Sequence, residues 1–329
     1  MTVIENVEVS VHKLTNEMKY AVINNDPIDD TLHVITVMSN PCNFRKRVIL
    51  AKEFINRMEF EENVTLYVVE LAYGNEPFYI TDPENARHLQ LRADSAAILW
   101  HKENMINIGV KKLLPASWKA MAWVDADVEF DSPSWASETL RILNGARDIV
   151  QLFSHCIDMG PDMKAMRIFQ SFGFQYNKGF DYTLGGVNYF HPGFAWAITR
   201  KAYDKLGGVY EHAMLGSGDN VVAMSLIGQA IQTVNRGETD AYKKHTLDYE
   251  KRMKRLRVGY VPGVIRHHYH GSKLNRGYNN RWKILIKHDY DPIAHVTYDE
   301  NGLLVPTPAC PKELLQDIRD YFFSRFEDD

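Results

Sequence analysis

After about 30 polar residues, Leu32-His-Val-Ile-Thr-Val-Met38 is a short apolar, β-branched run that stops at Ser39-Asn40-Pro41, the pattern of a buried strand entering a turn. Over Arg45–Met58 the apolar residues Val48, Ile49, Phe54, Ile55 and Met58 recur on a helical period. Residues 64–69 read as a second buried strand and 89–91 as a third. Residues 95–113 read as a long helix ended by Pro115, and Met121-Ala-Trp-Val124 is a further buried run that leads straight into acidic residues. Alternation of strand and helix predicts an α/β chain with a mostly parallel sheet flanked by helices. Its ligand site is expected at the carboxyl ends of the strands.

The second half is less regular. Residues 149–153 and 195–198 are expected strands, and 220–233, apolar nearly all round, is expected to be a buried helix. Residues 240–257 predict an exposed basic helix, and 258–261 a last strand before a segment rich in His and Arg. With no internal repeat and no linker rich in Pro, Gly or Ser, one continuous domain is favoured over two independent ones.

Composition narrows the class. A chain of 329 residues with 45% hydrophobic and 24% charged residues is long and apolar enough to fold on one core, which excludes disorder. The net charge of -4 hides a block: residues 243–287 hold thirteen Lys or Arg against two acids, pointing to an anionic partner. Three widely spaced cysteines, Cys42, Cys156 and Cys310, support neither a disulfide framework nor a metal knuckle. The charged N-terminus does not resemble a secretory signal, and the longest uncharged stretch, 182–199, contains three glycines and Pro192, which argues against a spanning helix. A soluble, cytoplasmic protein is expected.

Three segments carry candidate chemistry. In Trp123-Val-Asp125-Ala-Asp127-Val-Glu129, residues two apart on an extended chain point the same way, so both aspartates converge where the strand ends. A hard divalent cation, Mn²⁺ or Mg²⁺, relieves their repulsion; the plain alternative is a turn cap. Arg266-His-His-Tyr-His270-Gly-Ser-Lys273-Leu-Asn-Arg276 offers imidazoles for a cation and basic groups for a diphosphate, or else a solvated surface. It lacks the glutamate of the zinc-protease pattern. Leu215-Gly-Ser-Gly-Asp219-Asn220 delivers an acid to the start of a helix, as an N-cap or as a general base.

Together with Phe44-Arg45, Glu70-Leu-Ala-Tyr-Gly74, Trp100-His-Lys102-Glu103-Asn104, Asn107 and His191-Pro-Gly-Phe-Ala-Trp196, these segments resemble nucleotide-sugar glycosyltransferases of the GT-A fold. The likeness spans residues 32–305 and is to a group found in bacteria, phages and large DNA viruses. It implies a Rossmann-like sheet divided into a 1–30 extension, a 31–130 nucleotide-sugar-binding half, a 131–305 acceptor half with the metal-binding His segment, and a 306–329 C-terminal helix. It implies that Asp125 and Asp127 hold a divalent metal on the donor diphosphate, with His270, or His267, as a further ligand; His270 is favoured, His268 being the third candidate. Asn40, Arg45 and Glu70 would contact the nucleoside, Arg92, Lys102 and Asn107 would lie near the nucleotide or sugar, and Lys273 and Arg276 would neutralise the diphosphate. His191 and Trp196 fall on the sugar and acceptor side, where the tryptophan is either a sugar platform or core.

The expected reaction is metal-dependent transfer from a nucleoside diphosphate sugar, a UDP-sugar first among the donors, to a hydroxyl, with Asp219 as base and inversion at the anomeric carbon. One alternative is the same chemistry on a modified base of DNA, for which the basic helix would track the phosphate backbone. Another is a non-catalytic module that binds sugar nucleotides or glycans. Phosphodiester hydrolysis fits the order of the motifs poorly.

Overall fold

A computed structural model describes residues 2–4, 7–9, 28, 30–179, 190–278 and 280–328, so most of the expected 1–30 extension lies outside the described residues. A small hairpin, β1 (Thr2–Ile4) and β2 (Val7–Val9), precedes β3 (Leu32–Ser39), α1 (Arg45–Met58), β4 (Val64–Tyr73), β5 (His88–Ala93), α2 (Lys102–Leu113) and β6 (Ala120–Val124). There follow β7 (Val128–Phe130), α3 (Trp135–Leu143), β8 (Ile149–Gln151), β9 (His155–Met159), β10 (Ala165–Ser171), α4 (Phe172–Lys178), β11 (Phe190–His191), β12 (Ala195–Thr199) and α5 (Arg200–Leu206). The chain ends with α6 (Gly218–Leu226), α7 (Asp240–Met253), β13 (Val258–Tyr260), β14 (Val264–His267), α8 (Trp282–Lys287), the hairpin β15 (Val296–Tyr298) and β16 (Leu304–Pro306), and α9 (Lys312–Phe323).

Seven strands form the main sheet in the order β13-β8-β12-β6-β3-β4-β5. All run parallel except β12, which lies antiparallel between β6 and β8. The pleat sorts side chains by size. Met121, Trp123, Trp196 and Ile198 face one side with Ile35, Val69 and the buried residues of α2, whereas Ala120, Ala122, Ala195 and Ala197 face α1 and α3 with Phe54, Trp135 and Leu143. Both faces are covered, so these strands read as continuous apolar runs. This is the expected α/β architecture, a mostly parallel sheet flanked by helices.

A second sheet, β11-β10-β9-β14-β7, grows from the first. The chain leaves β6, β8 and β13, breaks for three residues in each case, and re-enters as β7, β9 and β14. Residues 125–127 occupy one of these breaks, beyond the carboxyl end of β6, where ligand sites are expected.

Four elements differ from expectation. Residues 95–101 are not helical; Ile98 and Leu99 are buried in succession, so they plug the core rather than follow a helical face. The 220–233 helix stops at Leu226 because Gly228 turns left-handed at φ +71°, and a short 3₁₀ turn, Ala230–Thr233, completes it. The basic helix ends at Met253; Arg255 turns to φ +68° and Arg257 binds the Asp148 carboxylate at 2.7 Å, drawing the chain into β13. Strand β8 ends at Gln151, two residues short, where the chain crosses to the second sheet.

Trp196 is 1% exposed, stacks on Trp123 at 6.5 Å and donates from its indole N–H to the Pro192 carbonyl at 2.7 Å. It is core, and no residue of the cavity described below. Trp196→Ala is expected to lower unfolding free energy by about 3–5 kcal/mol in urea denaturation. A loss below about 1 kcal/mol would contradict its place in the core.

Candidate active site

A cavity of about 890 Å³ opens at the carboxyl ends of β3 and β6, within the range of small-molecule sites. Its walls come from β3 (Met38, Ser39), the start of α2 (Lys102, Glu103), the β6–β7 break (Asp125, Asp127), the end of β14 and the turn after it (His267, His270, Arg276), and α9 (Phe322).

Residues 125–127 do not continue the strand. Val128 N–H donates to the Asp125 carbonyl and Asp125 N–H to Phe194 O at 2.8 Å, so the segment turns and the two carboxylates part. Asp125 pairs with Lys102 at 2.5 Å. Burial and the neighbouring Asp127 charge push the Asp125 carboxyl up to about 6, against the pull of Lys102. Asp127 turns toward the histidines, with Oδ2 at 2.9 Å from His270 Nε2 and 3.8 Å from His267 Nε2. Asp127 Oδ1 is buried without a partner.

Strand register explains the meeting. β14 pairs antiparallel with β7 so that His267 lies opposite Val128, one residue beyond Asp127. His268 points to the other face, as alternation requires, and meets Glu129 at 3.1 Å. Among the described residues, Asp127, His267 and His270 bring three ligand atoms within 4.8 Å of one another; Asp125 is not in this group.

Each ring is anchored from behind. His267 Nδ1 lies 2.8 Å from Asp158 Oδ1, and His270 Nδ1 lies 3.2 Å from Glu327 Oε2. Arg276 Nη2 sits 2.7 Å from His270 Nε2, the nitrogen that also faces Asp127 Oδ2. Burial lowers the His267 pKa. Two imidazoles, each held at Nδ1 by a carboxylate, and one carboxylate with an orphaned oxygen are a donor set that fits a divalent cation.

Across the cavity, residues 215–219 lie against Trp100 and Glu103. A Cβ on Gly216 would fall 3.0 Å from the Trp100 ring, and one on Gly218 would fall 2.7 Å from the Glu103 carboxylate. Glu103 accepts from Trp100 Nε1 at 2.9 Å; burial and Asp219 push its carboxyl up to about 7, against Lys102. Asp219 lines the cavity, and its Oδ2 lies so close to Gly193 that a Cβ there would fall 2.3 Å away. His191 stacks on Phe194 at 4.0 Å and accepts the Gly193 N–H at 3.0 Å; burial holds its pKa well below the usual value.

Lys102, Asp125, Asp127, His191, Asp219, His270, Lys273 and Arg276 therefore share one cavity. Asn40, Arg45, Glu70, Arg92, Asn107 and Trp196 do not line it. Asn40 bonds the backbone of Phe44 through both amide atoms, and Glu70 accepts from the backbone N–H groups of Tyr79, Ile80 and Thr81, holding a loop. Arg92 donates to the carbonyls of Gly74 and Glu76, Asn107 clamps Val209, and Arg45 is exposed at the start of α1.

Asp158 and Glu327, and the cavity-lining Arg47, Arg281 and Arg325, lie outside the candidate residues that the sequence suggests, and Glu103 stands in one of its segments without an assigned role. The basic block divides: Lys273, Arg276 and Arg281 reach the cavity, whereas Lys243, Lys244, Lys251, Arg252, Lys254 and Arg255 are exposed around α7. There Asp248 pairs with Lys244 and Lys251, and Arg252 donates to the Leu206 carbonyl.

No protein family and no curated protein matches the chain. Among solved structures, it is similar to a mutant Drosophila β-1,4-galactosyltransferase 7 in complex with manganese, UDP-Gal and xylobiose (10% identity, 88% of this chain and 98% of that chain covered, TM-score 0.41). It is also similar to S. aureus TarS (10% identity, 67% and 70% covered, TM-score 0.37) and to a 4-diphosphocytidyl-2C-methyl-D-erythritol synthase from Anaerococcus prevotii (10% identity, 72% and 88% covered, TM-score 0.34). Superpositions this loose carry no function. Among the described residues, no helix is long and apolar enough to cross a membrane.

If the Asp127 cluster holds a cation, Mn²⁺ will raise the melting temperature of the wild type, by mass action on the native state. The shift is expected to vanish in Asp127→Ala and in His267→Ala, read by differential scanning fluorimetry; an undiminished shift in both would place the ion elsewhere.

Proposed function

We propose that the chain is a metal-dependent glycosyltransferase that moves a sugar from a nucleoside diphosphate donor to a hydroxyl acceptor, with inversion. The observation that carries this reading is the meeting, in one cavity, of the Asp127, His267 and His270 cluster with a cationic wall and the separate carboxylate of Asp219. Asp127, His267 and His270 would hold the cation; two imidazoles beside one carboxylate suit Mn²⁺ better than Mg²⁺, which prefers oxygen ligands. Bound there, it would place positive charge on the donor diphosphate.

Lys102, Lys273 and Arg276 line the same cavity and would stabilise charge on the departing diphosphate. Asp219 takes the proton of the acceptor hydroxyl. The acceptor oxygen bonds to the anomeric carbon as the bond from that carbon to the diphosphate oxygen breaks, and the nucleoside diphosphate leaves with the electron pair. Attack on the face opposite the leaving group inverts the centre. Gly193 leaves the Asp219 carboxylate room beside the chain.

We assign a glycan-like acceptor. Gln232, Thr233, Asn235 and Trp282 line the cavity, which gives amides, a hydroxyl and an aromatic face for a polyol. The basic face of α7, by contrast, is partly neutralised by Asp248.

Asp219→Asn is expected to lower kcat by about 10²–10⁴-fold with donor KM little changed. Gly193→Ala is expected to lower kcat in the same sense, by displacing the carboxylate, while leaving Mn²⁺ affinity unchanged. Steady-state transfer assays with a panel of UDP-sugars check both; Asp219→Asn turning over like the wild type would remove this residue as the base.

A further inference from the structure

We propose that residues 325–328 are a working part of the site, with Glu327 the positioning residue that sets the tautomer and aim of His270. This rests on the reading of Asp127, His267 and His270 as the cation-binding cluster. Glu327 is fully buried, and its carboxylate is shared between both sides of the site. Arg47 donates to it through Nε and, at 2.8 Å, through Nη2; Arg325 approaches at 2.7 Å; and His270 Nδ1 lies at 3.2 Å.

An imidazole has two nitrogens, and a ring that offers Nε2 to a cation carries its proton on Nδ1. At Nε2 the neighbours are Asp127 Oδ2 and Arg276 Nη2, and at Nδ1 the neighbour is the Glu327 carboxylate, placed to accept that proton's hydrogen bond. Without that acceptor the ring loses the only carboxylate that anchors it from behind among the described residues, and both its tautomer and its rotation are released.

The backbone is shaped to admit the tail. Gly271, next to His270, adopts φ +84°, and a Cβ there would lie 2.8 Å from Glu327 Cα and 2.9 Å from Phe326 O. One residue further on, the Asp328 carboxylate accepts from the N–H groups of Arg45 at 3.0 Å and Lys46 at 2.8 Å, in the first turn of α1, where backbone donors have no intrahelical acceptor. On the other side of Glu327, Arg325 lies 5.4 Å from the Trp100 ring and lines the cavity. Glu327 is thus pinned between two anchors, in line with His270.

The test compares Glu327→Gln, Glu327→Asp and Asp328→Ala in the full chain. The first removes the charge; the second keeps it for Arg47 and Arg325 but draws the oxygen back from His270. Titration of Mn²⁺ followed by electron paramagnetic resonance should show both Glu327 variants weakened by about ten- to a hundredfold. Asp328→Ala, which releases one of the two anchors, should weaken Mn²⁺ binding in the same sense but less than either Glu327 variant. Nitrogen-15 spectra of labelled histidine, recorded without metal, should show His270 protonated on Nδ1 in the wild type and a mixture of tautomers in Glu327→Gln. Wild-type affinity together with an unchanged tautomer in either folded Glu327 variant overturns the proposal. A wild type that binds no Mn²⁺ overturns the metal reading instead, and the tautomer still decides the role of Glu327.

Discussion

The site turns on the Asp127 carboxylate, whose pKa is held well below the usual range, against burial, by His267, His270 and Arg276. One of its oxygens is buried without a partner, and the other faces two imidazole Nε2 atoms. Those rings are fixed at Nδ1 by Asp158 and Glu327, and Arg276 reaches the Nε2 of His270. A divalent cation fits among these donor atoms. Around it the charges alternate outward: Asp158 is met by Arg167 and Lys273, and Glu327 by Arg47 and Arg325.

The backbone serves this arrangement. Three strands of the main sheet break and resume in the second sheet, and one break releases Asp127 while the β7–β14 register brings His267 beside it. His270 follows within three residues, at a turn that only glycine at 271 lets the tail cross. The opposite wall is built with equal closeness: Gly216 and Gly218 let the Asp219 loop rest on Trp100 and Glu103, and Gly193 makes room for its carboxylate. Metal-binding groups and proposed base thus come from separate segments, and each can be altered without dismantling the other.

The main sheet was legible because β3, β4 and β6 are covered on both faces and so appear as unbroken apolar runs. The position of the acidic pair after β6 and of the acid after the 215–218 loop was legible for a related reason: each follows directly on a recognisable element. What local pattern could not show was partnership at long range. Glu327 looks like the end of an acidic, solvated tail, yet two of its partners, His270 and Arg47, lie 57 and 280 residues away. Asp158 sits on a short strand next to an exposed one, β10, where no apolar run announces a core. In the other direction, Asn40, Glu70, Arg92 and Asn107 look like ligand contacts, but backbone groups take up their hydrogen bonds. Extended geometry would have aimed Asp125 and Asp127 together; the turn between them gives one to Lys102 and the other to the histidines.

The most direct test of the account is anomalous diffraction from crystals grown with Mn²⁺ and UDP. The account predicts one strong manganese peak bounded by Asp127, His267 and His270, with the diphosphate between it and Lys102, Lys273 and Arg276. A peak held by other residues, or UDP bound with no manganese beside Asp127, would contradict it.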